Sequence, residues 1–224
     1  MATGVLPVIS KLRTPPAWES SAFGESSSGS SNISAITATP VHVAKAGGLI
    51  VALIGRHTNW VNTYNVKTVT SDQGSTFTEI PSSDTVRGPS GQRNGHVVLF
   101  YCQNPVIGDH TLTGNVQASQ SLVGLRICAS FASNVGGYRN LATQSTTSNS
   151  AVNLAITASA GSLTYMGLGE NGAATGINWT DLSASGDLVD RAGTLGLVAA
   201  DGTVNYTSSS TQGVCAAGVE LYPA

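Results

Sequence analysis

The four histidines, His42, His57, His96 and His110, are the side chains best suited to acid–base or metal chemistry near neutral pH, and their spacing argues against both. None stands in an H-x-H or H-x-x-x-H pair, none has an acid at a ligand-like interval, and the three cysteines form no C-x-x-C, so no metal set is written into the chain. Gly167-Leu-Gly169-Glu-Asn-Gly172 spells G-x-G-x-x-G after a strand-like run. A dinucleotide site needs a helix opening at the last glycine, so that amide N–H groups face the pyrophosphate. Here Ala173-Ala-Thr-Gly-Ile-Asn-Trp179 leads into another strand, and the stretch reads as a turn. No G-x-S-x-G elbow gives any serine a nucleophile's surroundings. Glycoside hydrolysis needs two carboxylates about 5–10 Å apart in a cleft. Of the 12 acids, Glu79 and Asp181 stand out only because they occupy repeated positions, which favours a shared scaffold role. Asp201-Gly-Thr-Val-Asn205 lacks the alternating acids of a calcium loop and reads as a hairpin turn. No catalysis and no cofactor are expected.

Recognition is the chemistry left. Trp60 sits in a polar stretch, His57-Thr-Asn-Trp60-Val-Asn-Thr-Tyr64, and is the best candidate for an exposed ring that stacks on a sugar, although a core or interface position is the more ordinary place for a tryptophan. The polar connection from Pro81 to Gly95, with Arg87 and Arg93, is the longest in the first half, and long connections are where binding tends to sit. Trp60, Arg87 and Arg93 therefore form a possible ligand loop.

Composition limits what can position these residues. The chain of 224 residues carries 10% charged and 41% hydrophobic residues with 26 glycines. Amphipathic helices draw on Glu, Lys, Arg and Leu. Those are scarce, while Val, Ile and Thr, which suit a pleated surface, are plentiful. The fold is expected to be all-β. A net charge of −2 gives no basic footprint for nucleic acid. No apolar run approaches a membrane-spanning helix, the best being Leu49–Ile54, and the N-terminal residues show no basic n-region followed by an apolar h-region, so neither a membrane nor a signal peptide is expected. The Asn32, Asn178 and Asn205 glycosylation triplets are then chance matches. Cys102, Cys128 and Cys215 each lie in an apolar run and are expected as buried free thiols.

The chain writes one stretch twice: Gly74-Ser-Thr-Phe77-Thr78-Glu79-Ile80 and Gly176-Ile-Asn-Trp179-Thr180-Asp181-Leu182. Similar runs flank each copy, with strands expected at Leu49–Ile54, Val97–Cys102, Thr111–Thr113 and Leu122–Phe131 in the first round. The second round places them at Val152–Ala158, Ser162–Leu168, Trp179–Leu182, Thr194–Ala200, Thr203–Thr207 and Val214–Leu221, with residues 134–149 as the crossing. Leu49–Ile54, apolar throughout, fits a central strand covered on both faces. Roughly four strands per half gives an antiparallel, jelly-roll-like β-sandwich of about eight strands in two quasi-repeated halves over residues 32–224. Residues 1–31 form an extended N-terminal arm and Ser-rich linker, its prolines excluding helix. The arm's Val5, Leu6, Val8, Ile9, Leu12 and Trp18 are interface candidates, toward either the chain's own sandwich or a neighbouring subunit.

The order Ala46-Gly-Gly-Leu-Ile-Val-Ala-Leu53, Thr68-Val-Thr-Ser-Asp-Gln-Gly-Ser-Thr-Phe77, Val97-Val-Leu-Phe-Tyr-Cys102 and Gly108-Asp-His-Thr-Leu-Thr113, closing on Cys215-Ala-Ala-Gly-Val-Glu-Leu-Tyr-Pro-Ala224, resembles jelly-roll β-sandwich accessory proteins of tailed bacteriophage virions. The resemblance covers residues 33–224 and rests on turns and strands, so it carries over no functional residue. It implies a non-enzymatic virion component assembled in the host cytoplasm. The first expectation is a capsid decoration protein that reinforces the phage head, the second a minor tail protein. The partners implied are other virion proteins, the major capsid protein first, and further copies of the chain, most simply as a trimer. A carbohydrate-binding module is the competing expectation.

Overall fold

The computed structural model describes residues 13–27, 35–58, 66–86, 94–116, 122–146, 151–170, 176–184, 190–208 and 214–224. Among them every regular element is a strand. The first half holds β1 (Ala17–Ser27), β2 (Ala35–Thr37), β3 (Val41–Val43), β4 (Gly48–Thr58), β5 (Val66–Ser71), β6 (Thr78–Glu79), β7 (Thr85–Val86), β8 (Asn94–Gln103), β9 (Gly108–His110), β10 (Leu112–Val116) and β11 (Leu122–Ser133). The second half holds β12 (Val135–Ser145), β13 (Val152–Ala158), β14 (Leu163–Glu170), β15 (Thr180–Ala184), β16 (Asp190–Thr194), β17 (Gly202–Ser208) and β18 (Val214–Pro223).

The strands stack in four layers. One inner sheet runs β1-β11-β4-β8-β6, with β7 also on β8, and the other runs β12-β18-β14-β16-β15. Outside the first lie β2-β10-β5 and the pair β3-β9; outside the second lies the pair β13-β17. All pairings are antiparallel. Three apolar clusters fill the gaps between layers.

The apolar run of β4 explains the stacking. Side chains alternate across a strand. Ile50, Ala52 and Ile54 therefore enter the outer core of the first half, while Leu49, Val51 and Leu53 enter the core between the two inner sheets. All six are fully buried, each worth about 1.5–3 kcal/mol of burial for the larger side chains. On β18, Cys215, Ala217, Val219 and Leu221 face the same central core, and Val214 and Ala216 the far one. Gly167 on β14 sets how closely the inner sheets approach: a Cβ there would stand 2.6 Å from Leu53 Cδ1.

The two halves follow one strand order, and the repeated stretch marks equivalent places. Gly74 and Gly176 both take positive φ, 71° and 61°, at a turn. After the turn, Thr78 and Glu79 pair with β8, as Thr180 and Asp181 pair with β16. Phe77 packs against the outer core of its half, and Trp179 is buried in that of the other. A shared role for the two acids is not seen. Asp181 accepts hydrogen bonds from Trp179 Nε1 at 3.0 Å and Arg191 Nη1 at 2.8 Å, whereas Glu79 is exposed and has no such pair among the described residues.

Several expectations change. The described residues hold 18 strands in stacked layers, more than the about eight expected over residues 32–224, with β4, β11, β14 and β18 burying both faces. The crossing is Asn134 alone (φ 57°), and residues 135–145 are β12, whose inward Val135, Tyr138 and Leu141 are separated by bulges that hide the alternation. The strand expected at Thr194–Ala200 lies earlier, at Asp190–Thr194. Gly167 and Gly169 lie inside β14 rather than in a turn. The arm also ends sooner: residues 17–27 are β1, antiparallel to β11. Trp18 is held by its own chain, with Nε1 donating to Thr194 Oγ1 at 3.0 Å and its ring 5.8 Å from that of Tyr165. Val5, Leu6, Val8, Ile9 and Leu12 lie outside the described residues.

Candidate functional site

Both ends of the described chain meet at one pole of the stack. β1 starts there, β11 ends, β12 starts and β18 ends. Arg13 Nη1 donates to Ala224 O at 2.7 Å, Asn134 Nδ2 to Pro15 O at 3.1 Å, and Ala224 N to Asn134 O at 3.0 Å. The exposed large aliphatic side chains among the described residues, Val106, Ile107 and Leu197, are in the β8–β9 and β16–β17 connections, which leave the same pole.

At this pole the central core opens into a groove lined by Tyr101, Gln103, Gly136, Gly137, Tyr138 and Tyr222, with a volume of about 370 Å³. Its construction follows from strand alternation. Tyr101 continues the inward series Val97, Leu99 on β8, and Tyr138 continues Val135 on β12. Near the strand ends these positions reach the rim of the core, where a ring with a polar tip can be half buried. The two rings meet edge to face, 4.7 Å apart at 61°. Burial, and then the neighbouring Tyr101, raises the Tyr138 phenol above its ordinary pKa, so the Tyr138 ring stays a neutral hydrogen-bonding group at physiological pH. Tyr222 lies across Gly136 and Gly137, where Cβ atoms would come within 2.8 and 2.5 Å of its ring and hydroxyl. Only glycines admit the ring there.

Arg139 stands over the Tyr222 ring, 5.3 Å from its centroid, and is held by buried Glu220. Glu220 accepts from Arg139 Nε (2.7 Å) and Nη2 (2.9 Å), Asn140 Nδ2 (2.7 Å), Ser159 N (2.9 Å) and Ser162 Oγ (2.6 Å). Burial pushes its carboxyl pKa up, but Arg139, Ser162 and the Ser159 amide outweigh it and bring the value down to about 2. The cluster positions Tyr222 and neutralises the nearest cation. Sequence reasoning missed this groove, because its tyrosines are 121 residues apart at the extremes (Tyr101 and Tyr222) and join only through the four-layer stack.

Elsewhere, chemistry-bearing side chains are spent on structure. Buried His96 hydrogen-bonds Asp84, beside Glu79, whose pKa is raised by burial and by Asp84. Neighbouring Ser83 Oγ donates to Leu99 O and accepts from Leu99 N, so it is no nucleophile in waiting. His110 bridges Ser71 Oγ and Val106 O, and His42 pairs with exposed Asp109. Among the described residues no three His, Cys, Asp or Glu side chains gather as a metal site. Cys102, Cys128 and Cys215 are buried and not in disulfides.

Trp60, Arg87 and Arg93 lie outside the described residues. The strand ends that carry residues 59–65 and 87–93 are neighbours, since Thr58 pairs with Asn94. Thr58 and Asn94 stand at the end of the sheet opposite the tyrosine groove. No family model, no curated protein and no solved structure matches the chain.

Proposed function

We propose that the chain is a non-enzymatic virion structural protein, a decoration protein of a tailed-phage head, built as two stacked jelly rolls and attached through residues 1–12. The strand order supports the fold: in each half the inner sheet sets its first strand beside its last, then its second, then its penultimate (β1-β11-β4-β8 and β12-β18-β14-β16), as jelly rolls do. The observation that carries the attachment reading is that the two ends of the described chain, Arg13 and Ala224, meet at the pole that the connections with exposed Val106, Ile107 and Leu197 leave. A body fixed by buried cores on three levels is suited to reinforcing a lattice, and an apolar segment rooted at one pole is suited to reaching the major capsid protein or a sister subunit. Copies around a lattice symmetry axis, as in a trimer, would bury such segments together.

The test is deletion. Removing residues 1–31 would strip β1 from β11 and pull Trp18 out of the central core, so the informative truncation stops at residue 12. Protein lacking residues 1–12 should melt like the full chain yet fail to occupy particles in a co-sedimentation assay. Undiminished occupancy by the truncated protein would refute the attachment reading.

A further inference from the structure

The Tyr101–Tyr138–Tyr222 groove has the makings of a ligand site that a decorating role does not use. Its volume, about 370 Å³, falls within the range of small-molecule sites. Gln103 contributes an oriented acceptor. Its Nε2 donates to Gly48 O at 3.3 Å and Val135 O at 3.1 Å, so both amide protons are spent on backbone carbonyls and the amide cannot be flipped. The Oε1 atom therefore turns away from both carbonyls, and among the described residues none donates to it. Three half-buried phenol rings line the groove, Tyr101 and Tyr138 edge to face. Among the described residues the cation that stands over a groove ring is Arg139, already neutralised by the Glu220 carboxylate, so it gives no preference for an anion.

From this combination we infer that the groove binds a neutral saccharide, one or two hexopyranose units stacking on the tyrosines while a sugar hydroxyl donates to Gln103 Oε1. A pyranose offers C–H faces to aromatic rings and hydroxyl donors at its edge, which is what flat rings and a fixed acceptor require. Charged sugars gain nothing from the paired Arg139, and a purely apolar ligand would leave Gln103 Oε1 unsatisfied. The inference does not rest on attachment to a particle. A 12-residue segment reaches up to about 40 Å when extended, long enough for docking at a distance from the groove.

The test uses the full chain, with maltotriose, cellotriose and N,N′,N″-triacetylchitotriose as probes, read by calorimetry and by saturation-transfer NMR. At least one probe is expected to bind, with saturation transferred to its ring C–H protons. Tyr222→Ala should weaken binding about tenfold and Tyr222→Phe about twofold or less. Gln103→Leu, nearly isosteric, should weaken it about tenfold through the lost acceptor. Melting temperatures confirm that each variant folds, and Gln103→Leu keeps the test decisive if Tyr222→Ala does not fold. Two results would overturn the inference: no binding of any probe at roughly 10 mM, or binding that survives both Tyr222→Ala and Gln103→Leu in folded protein. Binding of a proline-rich peptide in the groove without any sugar would overturn it in favour of peptide recognition. Loss of particle binding on removing residues 1–12, with sugar binding intact, separates this site from the attachment reading.

Discussion

Glu220→Gln is the perturbation with the best-defined consequence. The carboxylate is fully buried and accepts from five donors, among them both arms of an Arg139 fork. Its pKa lies near 2 in the folded chain against an ordinary 4.5. A group with a depressed folded pKa stabilises the fold fully above its unfolded pKa and loses that contribution as pH falls toward the folded one. A gap of that size is worth about 3 kcal/mol at pH 7. Glutamine keeps the shape but removes the charge and turns an amide N–H toward the Arg139 and Asn140 donors. Urea unfolding at pH 7 should therefore show the variant less stable by about 3 kcal/mol, with an unchanged m-value. Between pH 4.5 and pH 3 the wild type should lose about 2 kcal/mol that the variant has already lost, so the two curves converge. A stability difference below about 0.5 kcal/mol at pH 7, or one that stays constant down to pH 3, would refute this account of Glu220.

Two further predictions concern the central core. Gly167→Val should cost about 1–3 kcal/mol in urea unfolding, because the new side chain enters space held by Leu53 and Leu99; an unchanged midpoint would mean the inner sheets are not packed this closely. Cys102, Cys128 and Cys215 are buried, and burial raises the Cys102 thiol pKa. Native protein should leave an aromatic disulfide reagent unreacted, and urea-unfolded protein should titrate three thiols; fast reaction of native protein would contradict the burial of these strands.

The parts of the fold legible in the sequence are those where one side-chain pattern has one structural solution. Leu49–Ile54 reads as a strand buried on both faces because six consecutive apolar residues leave no face for water, and β4 is that strand. The doubled Gly-x-x-aromatic-Thr-acid stretch reads as a turn entering a strand, since glycine at positive φ and a buried aromatic are local needs. Residues 135–145 defeated the same reasoning. Two bulges shift the register of β12 against β18, so Val135, Tyr138 and Leu141 do not fall on a two-residue period, and a strand looks like a polar linker. Trp18 was ambiguous for another reason: an edge strand on the chain's own sheet and an arm on a neighbour need the same apolar, proline-flanked sequence. Pairing with β11 and the hydrogen bond to Thr194 decide it.

The groove was illegible because none of its parts is unusual where it stands. Tyr101 follows the inward residues of a core strand, Tyr138 sits in a glycine-rich stretch, and Tyr222 stands two residues before Ala224. What unites them is a packing event: small residues on β14 and β18, Gly167 and Ala217, let the two inner sheets close face to face, and the rims of both sheets then meet at one pole. The same closure brings Glu220 and Arg139 beside Tyr222 and fixes Gln103 between Gly48 and Val135, one carbonyl from each half. A residue that bridges the halves and also presents an acceptor to the groove ties recognition to the packing of the inner sheets. A substitution such as Gly167→Val, remote from the groove, should thus disturb Tyr101 and Tyr138 before it disturbs either outer core, because the central core is the only one of the three that the groove opens into.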